Sequence, residues 1–516
     1  MKKSVICLGV LAGIVTLCPF LSAASPYVKS REVAIRSDVD KALAADWKQK
    51  GLFPVTEASD SLLVRRLYLD LTGRLPSVED AKSFVYSKDA GKYEKLVDSL
   101  LASRDFVEYW GMHWGDVLRI KSEFPINLWP NAVYIYQRRV EAFLEKNEPY
   151  HRFVRSLLLA KGSNFREAEA NFYRAHADRS PAGIAKNVAL TLCGIRLEKR
   201  SESEQQKWAR IFEEIGFKST KEWKEEIVFL KSCPAREIIL PNGKTVKVRA
   251  NQEARRVLAD FLTRTPEGKR ILAEALVNRT WFWFFGSGIT PSGDDRDEKA
   301  INPELLKVLT DHVLKSEFNF RKLCREVVCS AAYRSASFQG DKTVAKNAAF
   351  AAYPIRRLEA EVLDDAITAM SGQPSKYSSV IPEPFSFLPG NLRTVSIADG
   401  SISSSFLILF GRPSRDAGLM AERNNGINAK QRLFLYNSGA LYRRVCQIMR
   451  RPEYTRLSLP AKVDVMYWMF YSRPPTAREL AIIEKRFNAL PKKMRWTMQN
   501  DLVWILVNSA EFLHRH

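Results

Sequence analysis

Three short stretches concentrate the side chains that could do chemistry. Phe410-Gly411-Arg412-Pro413-Ser414-Arg415-Asp416, followed by Glu422-Arg423, sets three arginines and two acids after the apolar run Phe406-Leu407-Ile408-Leu409-Phe410. Charge this dense beside apolar sequence is costly unless it is paired or used. Guanidinium forks of this kind could hold an anionic group. The second stretch holds Arg356, Arg357, Glu361, Asp364 and Asp365, which fall on one expected helix. Arg357 and Glu361 have the i, i+4 spacing of an ion pair. Paired carboxylates could act as acid and base, or the group could anchor the long Pro-, Ser- and Gly-rich excursion over 373–412. The third is Gly293-Asp294-Asp295-Arg296-Asp297-Glu298. Close oxygen ligands suit a hard cation, so Asp294 and Asp295 are the metal candidates. The pattern is not that of an EF-hand, and Arg296 interrupts it. The competing use is to cap the helix that begins near Asn302-Pro303-Glu304.

Two further groups read as structural. Arg65, Arg66 and Asp70 share a helix, where an ion network to the core is expected. His113 lies on an apolar stripe with Trp110 and Trp114, as a core histidine would, with Asp116 as a potential partner. No G-x-S-x-G, H-E-x-x-H, G-x-x-x-x-G-K-[ST] or G-x-G-x-x-G pattern occurs. That leaves open an enzyme whose acid and base come from distant parts of the chain.

The elements that must position these groups are mostly helical. Val64, Leu67, Tyr68 and Leu71 follow the i, i+3, i+4, i+7 rule, with Gly73 as a stop. Ser77 with Glu79 and Asp80 reads as an N-cap. Stripes at Tyr93–Leu100 and Phe106–Val117 continue the pattern, as do 132–160 and 182–197. Residues 198–232 are charged and expected to be helical in part. Glu237 to Val248 flanks Asn242-Gly243 with β-prone runs, the signature of a hairpin. Helices resume over Ile271–Phe285, Pro303–Lys315, Phe320–Ala332, Arg356–Met370 and four segments from Gln431 to Phe512.

The 516 residues exceed one compact core, which favours two domains. Lys2 and Lys3, the apolar Ser4–Leu21 and Ser22-Ala23-Ala24 read as a signal peptide cleaved after Ala24. No later stretch is apolar enough to span a bilayer. Net charge is +22, and loss of Lys2 and Lys3 leaves +20. A strongly basic exported chain points to an anionic partner rather than nucleic acid. Five cysteines remain after the signal, an odd and sparse set without C-x-x-C, which is no disulfide framework.

Several segments carry a resemblance. "RRLYLDLTGRLP" (Arg65 to Pro76) and "YWGMHWGDVLR" (Tyr109 to Arg119) resemble the planctomycete cytochrome-associated domain. "VNRTWFWFFGSGI" (Val277 to Ile289), "RRLEAEVLDDAI" (Arg356 to Ile367), "FGRPSRD" (Phe410 to Asp416), "SRPPTAREL" (Ser472 to Leu480) and "LVNSAEFL" (Leu506 to Leu513) resemble the planctomycete-type domain that follows it. Both are families of unknown function. Members of the first typically carry C-x-x-C-H-x-H-P just after a "GIRL"-like run. Members of the second carry C-E-C-E-R shortly after "FGRP". In this chain the corresponding places are Glu198 to Lys207, with neither Cys nor His, and Leu419-Met420-Ala421-Glu422-Arg423. A covalent haem or soft-metal site needs thiolate or imidazole ligands. The resemblance therefore implies a scaffold without that site, and the expectation is no cofactor and no covalent haem.

Together these readings predict a mainly α protein of two helical domains with a small β-hairpin near the junction. The expected divisions are a signal peptide over 1–24, an N-terminal helical domain over 25–197, a charged connector over 198–250 and a C-terminal helical domain over 251–516. The expected function is binding or assembly in the cell envelope, periplasmic or at the cell surface, through an anionic glycan, another envelope component or a protein partner. The ligand-binding candidates are Arg357, Glu361, Asp365, Arg412, Arg415, Asp416, Glu422 and Arg423. The rival reading is a hydrolase or lyase acting on an acidic or sulfated polysaccharide. A redox accessory role is a third.

Overall fold

The computed structural model describes residues 25–52, 55–337, 349–386 and 388–516. The expected signal segment, 1–24, lies outside the described residues. The chain is mainly α, with a few short antiparallel strand pairs. No helix among the described residues is long and apolar enough to cross a membrane.

Local chemistry sets the helix ends. Ser59 Oγ accepts from Leu62 N at the start of Asp60–Thr72, and Gly73 ends that helix in the left-handed region at φ 61°. Ser77 caps Val78–Tyr86 and Ser103 caps Arg104–Val117 in the same manner. Asn302 caps Pro303–Lys315, with Pro303 in the first turn, where its missing N–H is not needed. The acids at 294–298 are therefore not the cap of that helix.

The expected hairpin is present. Arg236–Ile239 pairs with Thr245–Val248 around Asn242-Gly243, in the register Arg236↔Val248 and Ile239↔Thr245. The connector holds more β-structure than its charge suggests. After the helix Glu202–Ala209, Ile215–Ser219 pairs with Glu226–Leu230, which also pairs with Gly162–Ser163. Ile215 and Val228 are buried while Lys218 and Phe229 are exposed, so the pair has a buried and a solvent side.

One expected helix begins late. Arg356–Arg357 is a strand, antiparallel to His514–Arg515, and the helix is Ala360–Ser371. Leu358 N donates to Leu513 O at 2.9 Å, extending the pairing. Arg357 thus lies outside the helix and does not pair with Glu361. Its Nη2 donates instead to the carbonyls of Phe410 (2.6 Å) and Asn424 (3.0 Å).

The apolar core is continuous between the two halves of the chain. Asp38–Gln49 packs on Pro303–Lys315, and Trp47 Nε1 donates to Ala349 O at 2.6 Å. Tyr93 OH reaches Val328 O at 2.6 Å. Arg65 Nη1 donates to Phe470 O, and Arg66 Nη1 to the carbonyls of Tyr333 and Ser335. Both guanidiniums are fully enclosed. The expected helix-to-core network is thus built largely on backbone carbonyls of the other half.

Candidate functional site

A cleft of about 630 Å³ opens where three parts of the chain meet. The Arg104–Val117 helix presents His113 and Asp116 from its last turns. The Pro266–Phe285 helix ends there and supplies Phe282, Trp283 and Phe285 to the wall. The remaining side is Tyr353–Arg357 with Glu359, and the 413–427 loop with Leu419, Met420, Arg423 and Ile427. Apolar walls with a few convergent polar groups are the usual form of a ligand site.

Arg423 is the hub of the polar floor. Its Nη1 donates to Glu361 Oε2 at 2.7 Å, and its Nη2 to Asp116 Oδ2 at 2.7 Å. Arg415 Nε meets the other oxygen of Asp116 at 2.8 Å. Arg412 Nε lies 3.3 Å from Glu361 Oε1. A second group sits beside it. Arg515 Nη1 donates to Glu359 Oε1 at 2.7 Å, and its Nε is 3.1 Å from Asp70 Oδ1. Asp70 Oδ2 also accepts from Tyr333 OH (2.8 Å) and Tyr353 OH (2.7 Å).

These surroundings fix the protonation states. Burial pushes the carboxyls of Asp116 and Glu361 up, but Arg423 overrides it and holds both below their ordinary range. Glu359 is likewise opposed by burial, yet Arg515 brings it down to about 2. Burial and the nearby Arg423 take His113 down to about 4, so its imidazole is neutral at pH 7. The ring is held among Tyr109, Trp110 and Trp283. Burial lowers Arg357 and Arg412 to about 10, and both stay charged. The six guanidiniums of Arg356, Arg357, Arg412, Arg415, Arg423 and Arg515 face four carboxylates, Asp70, Asp116, Glu359 and Glu361. Of these, Arg356, Arg357 and Arg423 line the cleft with Asp116 and Glu359, which leaves one positive charge in excess there.

Backbone geometry makes room for this packing. A Cβ on Gly115 would stand 3.1 Å from the Arg415 guanidinium, so the helix must be bare where that arginine lies across it. Gly411 has φ 82°, and a Cβ there would meet Asn424 O at 1.8 Å. Glu422 fastens the loop between them. Its two oxygens accept from the N–H groups of Asp416 (2.7 Å) and Gly418 (3.0 Å).

Here the PSCyt2 family, a protein of unknown function (DUF1549), matches residues 38–197, and the PSD1 family, a protein of unknown function (DUF1553), matches residues 254–487. The chain belongs to this PSCyt2–PSD1 pair. No curated protein and no solved structure matches it. The cleft therefore lies between the PSCyt2 segment, which gives His113 and Asp116, and the PSD1 segment, which gives the walls and most of the arginines.

The anticipated residues are divided by this geometry. Arg357 and Arg423 line the cleft, and Glu361, Arg412 and Arg415 belong to the buried ion network of Arg423 without lining it. Asp416 lies at the edge, where Oδ1 accepts from Lys121 Nζ at 2.7 Å, and Glu422 serves the loop. Asp365 is elsewhere: it accepts from the N–H groups of Thr394 (2.6 Å) and Val395 (3.3 Å). Asp364 binds Tyr377 OH at 2.9 Å and Arg444 Nη1 at 2.8 Å. This pair holds the 373–412 excursion. Asp294 Oδ2 accepts from Met420 N at 2.7 Å, and Asp295 pairs with Lys199 at 2.5 Å. No group of three or more His, Cys, Asp or Glu among the described residues could hold a metal ion.

The two stretches where the resemblance places the relatives' Cys and His, 198–207 and 419–423, both abut the 294–297 segment. Arg296 N donates to Gly194 O at 2.8 Å, Lys199 and Arg200 pair with Asp295 and Asp297, and Met420 N binds Asp294. The seam after Leu197 is thus a contact between the two family segments, made here by ion pairs and backbone bonds. Glu359, Arg515 and Asp70 escaped the sequence reading as site residues because they are joined only by the fold. His113 and Asp116 carried a signal, a polar pair three apart at the end of an aromatic stripe.

Proposed function

We propose that this PSCyt2–PSD1 chain is an exported cell-envelope protein that binds an anionic component in the His113–Arg423 cleft. The observation that carries the reading is the cationic excess in an apolar-walled cavity of about 630 Å³. The carboxylates there are already met by arginines, so a ligand anion would find positive charge left over. The apolar wall from Phe282 to Phe285 and Ile427 would take the uncharged body of the same ligand. Two features favour binding over hydrolysis. Glycoside hydrolysis with general acid catalysis needs a carboxyl kept protonated, whereas Asp116 and Glu359 are held ionised. His113 at about 4 is a weak base.

The test is binding of the chain to sulfated, sialylated and neutral glycans, and to vesicles of anionic lipid, across a salt series. Selective binding of one anionic component that persists at physiological salt supports the reading. Ala352→Trp, which narrows the cleft, should abolish it. Equal binding to every polyanion, lost at moderate salt and unchanged in Ala352→Trp, would mean that only the net surface charge is at work.

A further inference from the structure

Away from the cleft, three loops distant in sequence hold aromatic rings at the surface. Trp129 lies at the centre. Its ring is 5.8 Å from Trp223, at 82°, and 5.6 Å from Phe385. Trp223 belongs to the turn joining Ile215–Ser219 to Glu226–Leu230, and is 68% exposed. Lys224 Nζ stands over both indoles, 5.2 Å from Trp129 and 5.4 Å from Trp223. Glu123 Oε1 accepts from Val380 N at 3.1 Å, tying the loop before Trp129 to the loop that carries Phe385.

The backbone is strained to make this arrangement. Trp129 has φ 75°, Lys221 φ 70° and Lys224 φ 61°, all in the left-handed region that side chains with a Cβ disfavour. Strain of this kind persists where the surroundings enforce it, often at ligand sites. Here it does not bury Trp223. The loop that carries Phe385 also lines a second cavity of about 360 Å³, with Ser375, Lys376, Ser378, Ser379 and Glu383 among its residues. Glu383 is two residues from Phe385, so rings and cavity share one loop. The side chains of Lys376 and Glu383 have no intramolecular partner among the described residues.

We propose that this face binds an uncharged polysaccharide chain. Trp223 and Phe385, 68% and 48% exposed, offer ring surface to the C–H face of a sugar, and flanking polar side chains suit its hydroxyls. The charged residues of these loops show no cationic excess, with Lys221, Lys224 and Lys376 against Glu123, Glu222, Glu225 and Glu383. A nucleic acid would call for a clear cationic excess, and a bilayer surface for apolar tips without acids among them. The site shares no lining residue with the His113–Arg423 cleft, so either can fail without the other.

The experiment is native electrophoresis of the full chain in gels containing a soluble β-glucan, a galactomannan, a xylan or a dextran. At least one should retard the chain, and raising the salt should leave the retardation unchanged. Trp223→Ala should weaken binding about tenfold, with an unaltered melting temperature because the side chain is exposed. Trp223→Phe should retain most of it, and Ala352→Trp all of it. The proposal is overturned if no polysaccharide retards the chain, if Trp223→Ala binds as before, or if salt removes the effect. Trp223-dependent sedimentation with phosphatidylcholine vesicles, without retardation by polysaccharide, would overturn it in favour of a lipid surface.

Discussion

Arg423 joins two carboxylates that no other single group could neutralise together. Replacing it with alanine leaves Asp116 with Arg415 alone, and Glu361 with the longer contact to Arg412. Breaking a buried pair by removing one partner costs roughly 3–5 kcal/mol, so Arg423→Ala should lower the unfolding midpoint strongly in denaturant titration. Arg423→Lys should recover only part, because an ammonium cannot fork between both acids. A loss under about 1 kcal/mol in the alanine variant would mean that the network is not a stabilising unit. The neighbouring titrations give a second expectation. Glu359 falls from 4.5 to about 2 on folding, and His113 from 6.5 to about 4. Unfolding raises both, so the unfolded chain binds more protons in acid. The stability due to His113 is complete above about pH 6.5 and is lost as pH falls towards 4. That due to Glu359 is present above about 4.5 and is lost as pH falls towards 2. Melting temperatures measured across these windows should decline in both. In His113→Phe the decline between 6.5 and 4 should become shallower, the remainder coming from His176, His514 and His516, which burial also depresses, while the lower one remains. An unchanged upper slope would assign it to other groups.

At the scale of elements, the 410–427 loop is held by Glu422 and by a backbone turn that only glycine fits. Gly411→Ala puts a Cβ against Asn424 O in a left-handed conformation, and should cost more than about 1 kcal/mol. Glu422→Gln keeps one acceptor for the loop N–H groups and should cost less than Glu422→Ala, a difference that chemical denaturation would resolve. If the alanine and glutamine variants were equally stable, the loop would not depend on that carboxylate. This loop also shows how far the sequence could be read. Its arginines were visible as a motif because charge in an apolar setting is locally anomalous. The helices were visible because their caps and stripes are local: Ser77 and Gly73 stand where they act. The late start of Ala360–Ser371 was not, because strand Arg356–Arg357 exists only by pairing with His514–Arg515. A helical i, i+4 spacing between Arg357 and Glu361 is present either way, and only the distant strand decides against it. Asp364 and Asp365 are the converse: their type allows chemistry, anchoring of the 373–412 excursion is the preferred reading, and the N–H groups of Thr394 and Val395 assign Asp365 to anchoring.

Over the whole molecule the two family segments depend on each other for buried polar groups. Arg65 and Arg66 of the PSCyt2 segment satisfy most of their donors on carbonyls at 333, 335, 470, 512 and 516. Asp40 accepts from Ala331 N at 2.6 Å. Removed from the second half, Arg65 and Arg66 would lose these carbonyls, Asp40 its bond to Ala331, and the apolar faces around Trp47 and Tyr93 would be bared to water. Two domains joined by a polar interface would unfold in separate steps. A continuous core with shared polar satisfaction should unfold in one. Calorimetry of the full chain is therefore expected to give a single endotherm with equal calorimetric and van't Hoff enthalpies. Residues 25–197 expressed alone should lack the near-ultraviolet circular dichroism of packed tryptophans. A dispersed, native-like spectrum from that fragment would show that the PSCyt2 segment folds by itself. The cleft, whose floor takes Asp116 from one segment and Arg423 from the other, would then be a junction free to open rather than a fixed part of one core.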